Sequence, residues 1–123
     1  MKKFKLYSLW ISKVIISLLF ILASIGKLAK NESVIQMFKE WGYVDGFYFI
    51  IGLLELVLAI LLLIPKTALY SAILLFILMI GALFTHLTND PFLEIIRPII
   101  FMIFLAIIIL LQREHNNFNR TNA

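Results

Sequence analysis

The stretch that decides the fold is residues 67–87, TALYSAILLFILMIGALFTHL, which contains no lysine, arginine, aspartate or glutamate. A helix needs about 20 mostly apolar residues to cross the hydrocarbon core of a bilayer. Backbone groups in lipid must be hydrogen bonded within their own segment, so this stretch is predicted to be a transmembrane helix. Three more stretches have the same character, namely residues 7–28, 47–64 and 92–111.

The composition of the whole chain supports this interpretation. Of its 123 residues, 63% are hydrophobic and 15% are charged, whereas soluble domains average about 45–50% and about 25%. A chain of this length has too little interior to bury so many apolar side chains, because small domains have a high ratio of surface to volume. The excess must face lipid, so the chain is predicted to be an integral membrane protein surrounded by the bilayer.

The predicted fold class is all-α, an antiparallel four-helix transmembrane bundle that forms a single domain over residues 1–112. The connections at residues 65–66 and 88–91 are short and contain proline. Such tight connections force neighbouring helices to run antiparallel. The polar residues 113–123 are predicted to form a disordered tail, because they have too few apolar side chains to pack.

The longer connection, residues 29–46, has a pattern of its own. Apolar side chains recur in it at helical spacing among charged and amide side chains, at Val34, Met37, Phe38 and Trp41. This pattern predicts a short amphipathic helix lying in the membrane interface between the first two spans.

The distribution of basic residues predicts the topology, because lysine and arginine favour the cytoplasmic side. One side carries Lys2, Lys3, Lys5, Lys66, Arg113 and Arg120, and the other carries Lys27, Lys30 and Lys39. We therefore expect a multi-pass protein of the cell membrane, the inner membrane of a bacterium, with both termini in the cytoplasm. A cleavable signal peptide is the rival interpretation of the first stretch. The net charge is +4, and the basic residues that produce it lie at helix ends, where they meet lipid headgroups. Nucleic-acid binding is therefore not expected.

Ionisable side chains inside a bilayer are rare, and they mark either function or an internal paired network. Four of them are candidates for a ligand-binding site: Lys27, Glu55, His86 and Arg97. Glu55 lies about nine residues into its helix, or roughly 13 Å deep, and is the candidate for proton exchange. Antiparallel alternation places all four in the non-cytoplasmic half of the membrane, where they are predicted to face one pocket.

Each candidate also has a structural interpretation. Glu55 can pin the bundle through an ion pair, and His86 can be an ordinary interfacial polar residue. Arg97 either pairs with Glu94 or reaches Glu55. Lys13, nearer the cytoplasmic end, is predicted to lay its stem in lipid and to extend its ammonium group to the headgroups.

Some classes of site are excluded by composition. The chain has no cysteine, which excludes disulfides, thiolate catalysis, iron–sulfur clusters and thiolate zinc sites. Its second histidine, His115, lies in the predicted tail, so neither a haem pair nor a zinc site is expected within one chain. We expect no metal and no covalently bound cofactor.

Four motifs follow one another along nearly the whole chain. They are FILASIGK at 20–27, FKEWG at 38–42, IGLLE at 51–55 followed by LIP at 63–65, and MIGALFTH at 79–86. In order and spacing they resemble the DoxX-like family of small four-helix membrane proteins. The resemblance implies a four-helix fold and a membrane location. It also implies an association with redox systems, since some members take part in quinone-linked thiosulfate oxidation or redox-stress complexes.

These observations predict an accessory subunit of a membrane redox system that binds a quinone-like or other amphipathic small molecule beside redox partner proteins. Glu55 would hold or exchange a proton, while Lys27, Arg97 and His86 would recognise the polar head group. An independent catalytic activity is not expected, although a role as an oxidoreductase subunit fits the resemblance. The alternatives are a small proton-coupled multidrug-type exporter, working as a homo-oligomer, and a structural membrane scaffold.

Overall fold

The computed structural model describes residues 2–89 and 96–121, and the regular elements within these ranges are five α-helices. They are α1 (Lys3–Leu28), α2 (Glu32–Glu40), α3 (Phe47–Leu62), α4 (Ala68–Asn89) and α5 (Ile96–Thr121). The all-α class is therefore confirmed, and α2 is the short helix predicted in the longer connection. The turn predicted at residues 88–91, the start of the span at residue 92, and Glu94 fall wholly or partly outside the described residues.

Three of these helices, α1, α4 and α5, are long and apolar enough to cross a membrane. The fourth apolar helix, α3, has 16 residues, which corresponds to about 24 Å at 1.5 Å per residue. That is shorter than the hydrocarbon core of about 30 Å. α3 ends two residues earlier than predicted, because Leu63 caps it just before Pro65, whose ring opposes helical continuation.

The end of the chain differs from the prediction, because α5 continues as a helix through Thr121 where a disordered tail was expected. Extending an existing helix needs no new nucleation, so a polar segment can follow an apolar one. Side-chain hydrogen bonds at a spacing of four residues join Gln112 to Asn116 and His115 to Asn119. The Glu114 carboxylate also lies 3.0 Å from the Lys5 ammonium group of α1.

Each apolar helix packs against two other apolar helices, since α1 and α4 both contact α3 and α5, and α2 contacts α1 and α3. The buried apolar core consists of Leu9, Ile16, Phe20, Leu58, Ala59, Leu62, Ala72, Leu75, Leu105 and Ile108. On the outside, large apolar side chains such as Leu22, Ile77 and Ile103 are more than half exposed. This outer surface matches a lipid environment, since a soluble protein rarely exposes so continuous an apolar surface.

The prediction that the Lys13 side chain extends through lipid to the headgroups is wrong, because this side chain is buried between helices. Only 1% of the residue is exposed. Its ammonium group donates a hydrogen bond to the Gln112 side-chain oxygen of α5 at 2.9 Å. It also lies 3.9 Å from the centre of the Trp10 ring. Apolar stretches alone do not reveal Gln112 as the acceptor, because the two residues are far apart in sequence and meet only through helix packing.

Replacing Gln112 with leucine is expected to lower the free energy of unfolding by about 1–3 kcal/mol, because the buried Lys13 ammonium group loses its acceptor. The measurement is the unfolding midpoint of the purified protein during a titration of mixed micelles with a denaturing detergent. The matched control is Gln36→Leu on the exposed face of α2, for which we expect a change within about 0.5 kcal/mol. Equal effects of the two substitutions would contradict a structural role for the Lys13–Gln112 hydrogen bond.

Candidate functional site

A cavity of about 440 Å³ lies among the helices, and residues of all five helices line it. Its walls are mainly apolar and aromatic. The aromatic members are Phe20, Phe38, Trp41, Tyr43, Phe47 and Phe101. A volume of about 300–1,000 Å³ with apolar walls and a few polar groups is typical of small-molecule sites.

The four polar residues singled out from the sequence all line this cavity. Lys27 comes from the last turn of α1, Glu55 from the middle of α3, His86 from the last turn of α4 and Arg97 from the first turn of α5. The structure thus brings together one ionisable side chain from each of the four apolar helices. Ligand binding by these side chains stays a prediction.

Lys27 and Glu55 form an ion pair in the wall of the cavity. The Lys27 ammonium nitrogen lies 2.7 Å from a Glu55 carboxylate oxygen, and the two side chains are 18% and 4% exposed. The pair joins α1 to α3 across their contact. Burying one charge without a partner is costly in an apolar environment, so each residue accounts for the presence of the other.

Gly52 explains how the pair can form. It lies one turn before Glu55, and a Cβ atom added at this position would come within 2.7 Å of the Lys27 Cβ atom. Ser24 is also small and fully buried at this contact, and its hydroxyl donates to the Ile21 carbonyl of its own helix at 2.7 Å. Small side chains let two helix backbones approach closely in membrane proteins. Here they bring the Lys27 side chain alongside α3.

Arg97 differs from Lys27 and Glu55 in its exposure. Its side chain is exposed, whereas the adjacent Pro98 is buried. Within residues 2–89 and 96–121, the ion pair of Glu55 is with Lys27, and none joins it to Arg97. The alternative in which Arg97 reaches Glu55 is therefore wrong. Glu94, the other predicted partner of Arg97, lies outside the described residues. Arg97 thus contributes a cation to the cavity in addition to the Lys27–Glu55 pair.

The aromatic cover of the cavity was not predicted as part of the site. The Trp41 ring lies edge-on to the His86 imidazole, with ring centres 5.3 Å apart. The Tyr43 and Thr85 hydroxyls are hydrogen bonded at 2.5 Å, and Thr85 also donates to the Gly81 carbonyl of α4. These contacts connect the segment after α2 to the end of α4, so this segment closes one side of the cavity.

The local sequence accounts for the path of this segment. The Asn31 side chain caps α2 by accepting a hydrogen bond from the Ser33 backbone. Gly42 and Gly46 both have positive φ, 87° and 86°, a conformation that glycine adopts without strain. The chain turns at both glycines, and the Tyr43 ring stacks on Phe47 with ring centres 4.7 Å apart.

The structure also refines the prediction of an interfacial helix, because it shows which way the apolar face of α2 points. Its apolar face, centred on Phe38, is turned toward the protein, because Phe38 is buried and its ring contacts Trp41, Tyr43 and Phe47. Helical spacing in the sequence indicated an amphipathic helix. The same spacing fits a helix resting on lipid and a helix resting on protein, so it did not reveal these aromatic residues as cavity walls.

Among residues 2–89 and 96–121, no group of three or more histidine, aspartate or glutamate side chains is arranged to hold a metal ion. The residues that line the cavity carry one carboxylate, one imidazole, one indole N–H, two hydroxyls and two cations. This set is suited to recognising the oxygen atoms of an organic head group, because cations and hydroxyls donate hydrogen bonds.

Comparison with known proteins identifies a family. The family model described as the DoxX-like family matches residues 11–108, a range that contains all four of Lys27, Glu55, His86 and Arg97. No curated protein and no solved structure matches the chain.

Proposed function

The chain belongs to the DoxX-like family, and from this membership and the cavity we propose that it binds an amphipathic small molecule with a quinone-like head group. The observation that carries the proposal is that four apolar helices each place one ionisable side chain at the same cavity. Ionisable groups are expensive within a membrane and are retained there mainly for function or for pairing. Lys27 and Glu55 pair with each other in the wall of this cavity, and His86 and Arg97 lie along the same lining.

We place this cavity in the non-cytoplasmic half of a four-helix antiparallel bundle in a cell membrane, with both termini in the cytoplasm. Two observations support the arrangement. The helices α1 and α4 each contact both α3 and α5, and basic residues are more numerous on the side of the two termini. If α3 spans the bilayer, its 16 residues require local thinning of the membrane or a contribution from its flanking residues.

The charges in the cavity favour a head group that accepts hydrogen bonds. The Lys27 cation and the Glu55 anion offset each other, while Arg97 adds a further positive charge. Arginine presents five donors in a planar fork, and a histidine imidazole supplies a donor or an acceptor. Carbonyl oxygens of a quinone suit this set, and the aromatic rings of Phe38, Trp41 and Phe101 suit its flat, apolar body.

In this proposal each residue has a defined role. Arg97 and His86 orient the head group through its oxygen atoms. Glu55, held by Lys27 in the wall, exchanges a proton with the head group or with water. A bound quinone would supply redox chemistry in concert with a partner protein, which makes this chain an accessory subunit rather than an independent enzyme.

The ion pair also bears on the alternative of a proton-coupled exporter. An exporter of this kind needs a carboxylate that binds a cationic substrate, and here the Lys27 ammonium group already lies at the Glu55 carboxylate, at 2.7 Å. We therefore favour the binding protein. Transport of a cationic dye into vesicles that depends on Glu55 would reverse that preference.

Trp41 supplies a direct test of binding, because it lines the cavity and the other of the two tryptophans, Trp10, packs on Lys13. In a Trp10→Phe background, a short-chain benzoquinone is expected to quench the Trp41 fluorescence saturably. Arg97→Leu is expected to weaken binding about tenfold or more, since a hydrogen bond to a charged group contributes about 1.5–3 kcal/mol.

The matched control for this experiment is Arg113→Leu, on the same helix but exposed and away from the cavity. It is expected to leave the dissociation constant unchanged. Quenching that rises linearly with quinone concentration, and equally in both variants, would indicate dissolution of the quinone in lipid only. Such a result would favour the structural scaffold.

A further inference from the structure

A second concave feature lies on the outside of the helices, between α1 and α5. This groove has a volume of about 370 Å³, and apart from Arg97 its lining is entirely apolar, with Ile15 and Leu19 from α1 and Ile100 and Phe104 from α5. These four side chains are between 42% and 49% exposed. They face the surroundings of the protein rather than its core, so in a membrane the groove opens to lipid.

The groove and the cavity meet at two residues. Arg97 and Phe101 line both of them. The Phe101 ring packs against Phe20, another residue of the cavity, with ring centres 5.2 Å apart. The Phe20–Phe101 pair and the exposed Arg97 therefore lie where the two spaces adjoin.

We propose that the α1–α5 groove holds the hydrocarbon chain of the molecule whose head group lies in the cavity, with Arg97 and Phe101 at the junction between chain and head. The ligand class is thus a lipid quinone with a single long chain. This inference rests on the proposed function, since it assumes that the cavity binds a head group.

The arrangement of polar and apolar groups supports this assignment. A head group within reach of Lys27, Glu55 and His86 is enclosed by the aromatic side chains that follow α2. An attached apolar chain must leave the cavity toward lipid, because exposing it to water is unfavourable in proportion to its area. The α1–α5 groove is apolar apart from Arg97, and it adjoins the cavity at Arg97 and Phe101, which line both.

Occupation of the groove fixes the position of the ligand's hydrocarbon chain, but it adds little to the affinity of the ligand. Lipid tails are as apolar as the groove, so moving a chain from lipid to protein gains no hydrophobic free energy. The appropriate test therefore measures position. The probe is a benzoquinone with an alkyl chain that ends in a diazirine, which inserts into nearby residues on illumination and is mapped by mass spectrometry.

In lipid nanodiscs, the probe is expected to label residues 15–19 of α1 and 96–104 of α5. Filling the groove with the double substitution Leu19→Phe and Ile100→Phe is expected to reduce that labelling about tenfold, because a filled groove excludes the chain. The matched control is Leu22→Phe with Ile103→Phe, at lipid-facing positions of the same helices outside both concave features. The control is expected to retain the labelling of the unmodified protein.

Quenching of Trp41 by the same quinone without its chain separates the two proposals. Saturable quenching in all variants, together with labelling spread over α3 and α4 and unaffected by the filled groove, would overturn the groove assignment alone. Absence of saturable quenching in the unmodified protein would overturn the proposed function and this inference together. Groove-specific labelling lost only in the Leu19–Ile100 variant would establish the inference.

Discussion

Replacing Lys27 with methionine is expected to lower the free energy of unfolding by about 3–5 kcal/mol, the largest effect of any single substitution considered. The physical reason is the environment of its partner, because the Glu55 side chain is 4% exposed and would remain buried without a cation. Methionine keeps most of the apolar stem of lysine, so the effect isolates the charge. Thermal unfolding in detergent, or unfolding in mixed micelles, measures it.

The double substitution Lys27→Met and Glu55→Leu separates stability from binding. Replacing both partners of a buried ion pair by apolar groups is often neutral or stabilising, so we expect stability close to that of the unmodified protein. Quinone binding is expected to be lost in the double variant if the pair serves the ligand. Full binding in a stable double variant would instead show that the pair does not serve the ligand.

The control for this pair of variants is Lys39→Met, which removes an exposed lysine of α2. Exposed substitutions away from special features usually change stability by no more than about 0.5 kcal/mol. A Lys27→Met variant as stable as Lys39→Met would contradict the ion pair as described.

Replacing Gly52 with alanine is expected to lower the free energy of unfolding by about 1–3 kcal/mol, because the added methyl group overpacks the contact between α1 and α3. The added Cβ atom would lie 2.7 Å from the Lys27 Cβ atom and 3.4 Å from the Ser24 carbonyl oxygen. Neither neighbour is the free end of a flexible side chain, so α1 and α3 must separate. We therefore also expect weaker binding of the benzoquinone probe, because the Lys27–Glu55 pair depends on this close approach.

Gly81→Ala is the matched control, since an added Cβ atom there meets nothing within 4 Å. Alanine favours the helical conformation over glycine by about 1 kcal/mol, so this variant is expected to be as stable as the unmodified protein or slightly more so. The sign of the effect should therefore differ between the two glycines. A loss of stability of the same size at Gly81 would mean that the loss at Gly52 does not arise from the close approach of α1 and α3.

Much of the fold follows from the sequence because membrane insertion imposes strong local rules. Long apolar stretches in lipid must be helices, whatever their neighbours are. The same rule made Lys27, Glu55, His86 and Arg97 stand out, since each interrupts or borders such a stretch. The helix boundaries were predicted less accurately, as in α5. Apolar content marks only the part of a helix within the membrane core, whereas the backbone hydrogen bonds of α5 continue beyond it.

Contacts between helices could not be predicted in the same way. Lys13 and Lys27 are both lysines of α1, yet one donates to the Gln112 amide and the other pairs with the Glu55 carboxylate. Likewise Trp41 was placed in the membrane interface, and the structure packs its ring against His86. Such partners are distant in the chain, and their pairing depends on helix rotation and distance, which no local pattern specifies.

Residues 67–87 show the same difference between local structure, which the sequence determines, and contacts between helices, which it does not. By itself, the sequence determined that this stretch is an apolar helix, that three similar stretches accompany it, and that a few ionisable residues need a partner or a ligand. Only the tertiary structure decided that α4 places His86 against Trp41, that Lys27 forms an ion pair with Glu55, and that all four candidates line one cavity. Helix formation in lipid satisfies backbone groups locally, whereas satisfying buried side-chain charges requires other helices at specific distances and orientations.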